Sequence, residues 1–204
     1  MVKSGTSVIT FLSAAAQGAV DSMSLLVNFL AFQVAWFSAV ISAAAGQPWI
    51  GMSVMAVAVM LHMTLVARPA TELGLVVVCA VIGGTWDSVL VALGWVSYPS
   101  GMLHDAFAPY WIVGMWMLFA TTLNVSLGWL KSRASLAVLF GVAGGPLAYL
   151  TGAKLGGIVL SQPLFALMAL AAGWGIMMPL LLIVARRLDG VTVRSAARTG
   201  WILD

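Results

Sequence analysis

Apolar residues fall in six long blocks along this chain, near Leu25 to Ala45, Ile50 to Ala67, Leu73 to Leu93, Tyr110 to Leu130, Ala134 to Leu150 and Leu164 to Ala185. The blocks are apolar on every face, with neither the alternation of a half-buried strand nor the polar stripe of a surface helix. Such segments belong in a hydrophobic solvent, and at ~1.5 Å per residue about 20 residues cross ~30 Å of hydrocarbon. In lipid each backbone N–H and C=O must be satisfied internally, which a helix achieves. A membrane barrel would instead show alternating strands of about ten residues. The pattern therefore predicts an all-α, polytopic membrane bundle with six transmembrane helices.

Composition agrees, with 62% hydrophobic and 7% charged residues and a mean hydropathy of +1.08. The charges also orient the bundle. Lys3, Arg68, Lys131, Arg133, Arg186, Arg187, Arg194 and Arg198 fall on one side of six crossings, and Lys154 alone on the other. Positive residues favour the cytoplasmic side, so both termini are expected there. That balance explains the net charge of +3 without a nucleic-acid partner, and the basic tail suits anionic lipid.

Short connections, Gly46 to Trp49 and Arg68 to Glu72, predict antiparallel hairpins, whereas Gly94 to Pro109 and Thr151 to Pro163 form longer outer connections. The expected organisation is a leader at residues 1–22, interfacial or disordered, a six-helix domain at 23–188 and a short cytoplasmic tail at 189–204. The leader faintly imitates a signal peptide through Lys3, the apolar run Val8 to Leu12 and Ala14-Ala15-Ala16, but that run is short and Met23 offers another start. The two halves show no repeat beyond shared apolarity.

Polar side chains inside apolar blocks need partners, so they form the shortlist of candidate sites. Asp87, in Gly83-Gly84-Thr85-Trp86-Asp87-Ser88, sits about 9 Å below the outer end of the third helix. It must face protein, since an ionised Asp at a helix centre costs about 2.5–3.5 kcal/mol on insertion scales. It reads either as a structural anchor, bonded to Lys154 or to the Gly94–Pro109 backbone, or as a proton or cation site; the anchor is preferred. Asp87, Lys154, His104 and Tyr149 make up a candidate outer site. Asn28, His62 and Asn124 share one depth near the inner side, with Gln33 deeper and Thr121 one turn from Asn124, a candidate inner layer that reads as interhelical glue before it reads as a pocket.

Metal chemistry is not expected, because His62 and His104 fall on opposite leaflets and Cys79 is the single cysteine. No triad, phosphate loop or cofactor motif is visible, and no cofactor is expected. In the fifth block, Gly144, Gly145 and Pro146 predict a kink, since Pro146 cannot donate to Val142. The Gly141/Gly145 spacing allows a close helix neighbour. Trp49, Trp95, Tyr98, Tyr110, Trp111 and Trp129 read as interfacial anchors. Trp36, Trp86, Trp116 and Trp174 lie deeper and, with Met115, Met117, Met177 and Met178, serve core packing or line an adaptable pocket.

The segments Asn28-Phe-Leu-Ala-Phe-Gln33-Val-Ala-Trp36-Phe37, Pro109-Tyr-Trp111-Ile-Val-Gly-Met-Trp116 and Gly144-Gly145-Pro146-Leu-Ala-Tyr149, with Gly152 and Lys154, resemble an uncharacterised family of small proteobacterial inner-membrane proteins. The resemblance implies a multi-pass protein of the bacterial inner membrane and carries no catalytic residue across. It also implies gene neighbours that resemble cyclopropane-fatty-acid synthases and flavin-dependent proteins, hence a link to lipid modification. The functional expectation is a non-catalytic module that binds, carries or presents a lipid-like molecule or scaffolds lipid-modifying enzymes in the phospholipid bilayer. The alternatives are an intramembrane lipid-modifying enzyme and a small proton-coupled transporter using Asp87.

Overall fold

In the computed structural model the backbone is described for residues 4–191 and the side chains for residues 24–191. The leader expected at 1–22 and most of the tail, including Arg194 and Arg198, lie outside the described side chains. Among the described residues there are six α-helices: α1 (Ser4–Ala44), α2 (Pro48–Leu65), α3 (Pro69–Ala92), α4 (Tyr110–Leu123), α5 (Ala134–Lys154) and α6 (Pro163–Arg187). Five stretches are long and apolar enough to cross a membrane, namely Ser24–Ala44 of α1 and the whole of α2, α3, α5 and α6. The protein is an all-α polytopic membrane bundle.

Proline starts three of these helices, since Pro48, Pro69 and Pro163 occupy first-turn positions where the missing N–H costs nothing. Left-handed Gly94 and Gly156 follow the ends of α3 and α5 and turn the chain into the outer connections. There β1 (Val96–Ser97) pairs antiparallel with β2 (Val159–Leu160), tying the two outer connections together. Two-residue strands leave no periodicity to read, and the sequence predicted none.

The fourth helix departs from expectation. It was predicted to run from Tyr110 to Leu130 but ends at Leu123, after 14 residues. The reason is local competition for its last carbonyls. Asn28 of α1 donates its amide to the Thr121 carbonyl at 3.1 Å, the group that Val125 N–H would otherwise meet. Val125 N–H turns to the Thr122 carbonyl instead, and the chain tightens into turns and a 3₁₀ helix at Gly128–Ser132. About 21 Å of α-helix plus this tighter segment still runs from the outer connection to the inner end of the bundle, where Asn124 meets the first turn of α3 and the residues after α6.

The helices pack as consecutive hairpins, α1 with α2, α3 with α4 and α5 with α6, while α4 also touches α1, α2 and α6. Glycine permits the tightest contacts. A Cβ on Gly83 would enter the Trp116 ring, one on Gly173 the Trp86 ring, and one on Gly141 or Gly145 the backbone or ring of Trp174. α5 stays helical through Pro146.

Candidate functional site

A void lies beside α4. It has a volume of about 360 Å³ and is walled by α1 (Phe32, Gln33, Trp36), α4 (Met115, Trp116, Phe119), α5 (Phe140, Gly144, Tyr149) and α6 (Trp174, Met178), with Asp87 of α3 behind its outer part. α1 and α5 share no extended packing, so the void lies in the gap between them. At the outer end Gly156 and Gly157, just past α5, lean on Ala44 and Val40 of α1 and roof the gap. At the inner end Leu127 lines the void, and Asn28 accepts from the Ser126 hydroxyl at 2.8 Å. Between roof and floor, Phe37 and Phe140 stand 42% and 46% exposed at the mouth. The mouth therefore lies on the flank of the bundle, between α1 and α5.

Asp87 is fully buried, its two oxygens taken by separate helices. Trp116 Nε1 donates to Oδ2 at 2.6 Å, and the Tyr149 hydroxyl donates to Oδ1. The Trp116 ring is stacked on Trp174 at 4.6 Å between centroids, and Phe119 stands edge-on to both. Asp87 thus joins α3 to α4 and α5 through aromatic donors. Above this group the outer connection supplies the buried Tyr98, whose phenol is pushed well above the ordinary tyrosine value by burial and, after it, by the Asp87 carboxyl. Among the described residues the indole nitrogens of Trp86 and Trp174 are buried without a hydrogen-bond partner, and the Tyr98 hydroxyl is buried beside that of Tyr149.

Of the four residues expected at the outer site, Asp87 and Tyr149 come together and Lys154 and His104 do not. Lys154 is exposed in the last turn of α5. His104 is exposed in the outer connection, accepting from Ala106 N–H at 3.1 Å. The expected Asp87 partners, Lys154 or the loop backbone, are replaced by two side chains of the membrane core. A donor already held at the right depth on a packed helix binds without drawing a lysine out of water.

The inner layer is also rearranged, around a residue that the sequence reading placed in a connection. Glu72, expected to end the Arg68–Glu72 connection, lies in the first turn of α3 and is fully buried. Its Oε1 accepts from Asn124 Nδ2 at 2.5 Å and from Gly190 N–H at 2.8 Å, and its Oε2 lies 3.2 Å from His62 Nε2. One signal for it was present, since proline followed by an acidic residue marks a helix start. Asn28, expected in the same layer, serves Thr121 and Ser126 instead. Gln33 stands apart in mid-helix, half-buried on the cavity wall.

Beyond α6 the chain folds back onto this cluster. Asn124 Nδ2 donates to the Leu188 carbonyl and Arg68 N–H to the Gly190 carbonyl. Asp189 takes the Lys131 ammonium at 2.9 Å, and its carbonyl accepts from the Arg68 guanidinium. Arg68 and Lys131 therefore gather at one end of the bundle and Lys154 stands at the other. Among the described residues no group of three or more His, Cys, Asp or Glu could hold a metal ion.

No curated protein and no solved structure matches this chain. The model of a family described as "Protein of unknown function (DUF2878)" matches residues 25–180. That span takes in α2 to α5, both faces of the cavity, Asp87 and Glu72, and the chain belongs to this family of unknown function.

Proposed function

We propose that this protein is a non-catalytic module of the bacterial inner membrane that takes a lipid-like molecule sideways from the bilayer and holds or presents it. The observation that carries this reading is the void of about 360 Å³ between α1 and α5, closed at either end by protein and open on the flank of an apolar bundle. Its volume lies at the lower end of the ~300–1,000 Å³ range of small-molecule sites, enough to enclose one chain or one ring system. The lining is mostly apolar, so an apolar guest is the natural occupant. The scattered positions of His104 and Lys154, and the engagement of His62 Nε2 and Asn124 Nδ2 by Glu72, support binding over catalysis. The gathering of Arg68 and Lys131 at one end supports an orientation with that end in the cytoplasm.

Gly144 gives a clean test. It lines the void, and a Cβ built there meets nothing within 4 Å, so Gly144→Phe fills the mouth without disturbing the α5–α6 contact. Native mass spectrometry of the purified protein should show a bound lipid in the wild type that is lost from Gly144→Phe. A wild type free of lipid, or a variant that retains it, would refute the reading.

A further inference from the structure

Gln33 lies nine residues beyond Ser24 and eleven before Ala44, near the middle of the membrane-crossing part of α1. Its side chain is half-buried, faces the void and the adjoining groove on α1, and has no hydrogen-bond partner among the described residues. An amide at this depth has no water to bond, and leaving it unmade in hydrocarbon costs several times an ordinary hydrogen bond. Asp87 is engaged with Trp116 and Tyr149, and Thr151 with the Leu147 carbonyl, whereas the Trp174 indole nitrogen, like the Gln33 amide, has no partner among the described residues. A guest with a hydrogen-bond acceptor is what would complete the Gln33 amide.

The wall also restricts the charge of that guest. It contains no Lys, Arg or His, so a carboxylate or phosphate head would enter without a counter-charge. Its one carboxyl, on Asp87, has no exposed surface and is covered by Trp116 and Tyr149, so an ammonium head finds no contact with it either. A phospholipid head, anchored at the interface, does not reach the middle of the bilayer. Aliphatic side chains such as Val40, Ile112, Met115 and Met178 make up part of the remaining lining, and aromatic ones face each other across it: Phe32, Trp36 and Phe37 on the α1 side, Phe119, Phe140 and Trp174 opposite. Aromatic faces stack on flat rings, each such pair adding about 0.5–1.5 kcal/mol beyond its buried area.

We infer that the guest is an uncharged lipid whose carbonyl-bearing flat ring lies in this cavity, the quinone class, with the Gln33 amide donating to a ring oxygen. This deepens the lipid-binding reading and depends on it. The amide supplies the hydrogen bond that gives orientation, and the aromatic walls supply most of the affinity.

The test uses full-length protein in nanodiscs with three single-chain probes, decylubiquinone, dodecanoate and dodecylamine. Binding is followed by thermal unfolding for all three and by tryptophan fluorescence for the quinone. Saturable binding of decylubiquinone is expected, abolished by Gly144→Phe and about tenfold weaker in Gln33→Leu, the loss of one net hydrogen bond. Gln33→Leu should unfold at or above the wild-type temperature, because it replaces an unpaired amide in lipid. Unchanged quinone affinity in that variant overturns the inference. Dodecanoate or dodecylamine binding as tightly as the quinone, with the same sensitivity to Gly144→Phe, overturns it while leaving the lipid-binding reading intact. No Gly144-sensitive binding of any probe, together with a wild type that carries no lipid by mass spectrometry, overturns both.

Discussion

Replacing Glu72 by leucine strands three donors at once. His62, Asn124 and the Gly190 N–H all point at its carboxyl, and Glu72 has no exposed surface through which water could replace it. Interhelical hydrogen bonds in membranes average ~0.6 kcal/mol, so the bonds themselves account for about 2 kcal/mol. A buried donor that finds no new partner adds ~1–3 kcal/mol. Asn124 keeps the Leu188 carbonyl at 3.1 Å, so the Gly190 N–H is the group left worst off. Glu72→Leu should therefore cost about 3–5 kcal/mol. Glu72→Gln keeps an oxygen for Asn124 and Gly190 and should cost about 1 kcal/mol. The measurement is unfolding by SDS in mixed micelles, followed by tryptophan fluorescence. In the same assay Asn124→Leu should cost far less in the Glu72→Leu background than in the wild type, since its main partner is already gone. A Glu72→Leu protein as stable as the wild type, or strictly additive costs for the two substitutions, would refute the account of the inner cluster.

Asp87→Asn keeps an acceptor for Trp116 or Tyr149 and should fold normally, while Asp87→Leu leaves both donors unpaired and should lose about 2–4 kcal/mol in the SDS assay. Neighbouring glycines of α5 should part company: Gly141→Leu drives a side chain into the Trp174 carbonyl and should fail to accumulate as folded protein, whereas Gly144→Leu enters open space and should unfold no earlier than the wild type. In a Cys79→Ala background, cysteines at exposed Ser132 and His104 should label from opposite faces of the membrane with an impermeant thiol reagent, and equal labelling of both in intact cells would end the proposed orientation. Gly190→Ala places a methyl group against the Arg68 carbonyl and Glu72 and should open the segment after α6 to limited proteolysis at concentrations that leave the wild type intact.

The crossings were legible because unbroken apolarity is a property of each segment alone, but their starts were set at Ile50, Leu73 and Leu164, since apolarity does not mark the first turn that Pro48, Pro69 and Pro163 begin. The end of α4 was not legible, since it depends on Asn28, a residue 93 positions away, capturing the Thr121 carbonyl. Glu72 was hidden by its company: beside Arg68 and after a proline it reads as a solvated connection, and only the return of Leu188 to Gly190 across the inner end buries it. Asp87 stood out as a charge in lipid, and Tyr149 was grouped with it, but Lys154 and His104 were grouped on leaflet alone. Depth along a helix says which residues are able to meet; facing and packing decide which do.

The return of the chain after α6 bears on how the protein is made. His62, Glu72 and Asn124 are synthesised and inserted well before Leu188 and Gly190 exist, so for an interval the ribosome-bound chain carries an incompletely satisfied carboxyl at the inner face of the membrane. The last donor to Glu72 arrives only when α6 has crossed and the chain behind it has emerged. Completion of the cluster thus waits until every helix is in place, and a chain cut before residue 190 leaves the Glu72 carboxyl short of one donor.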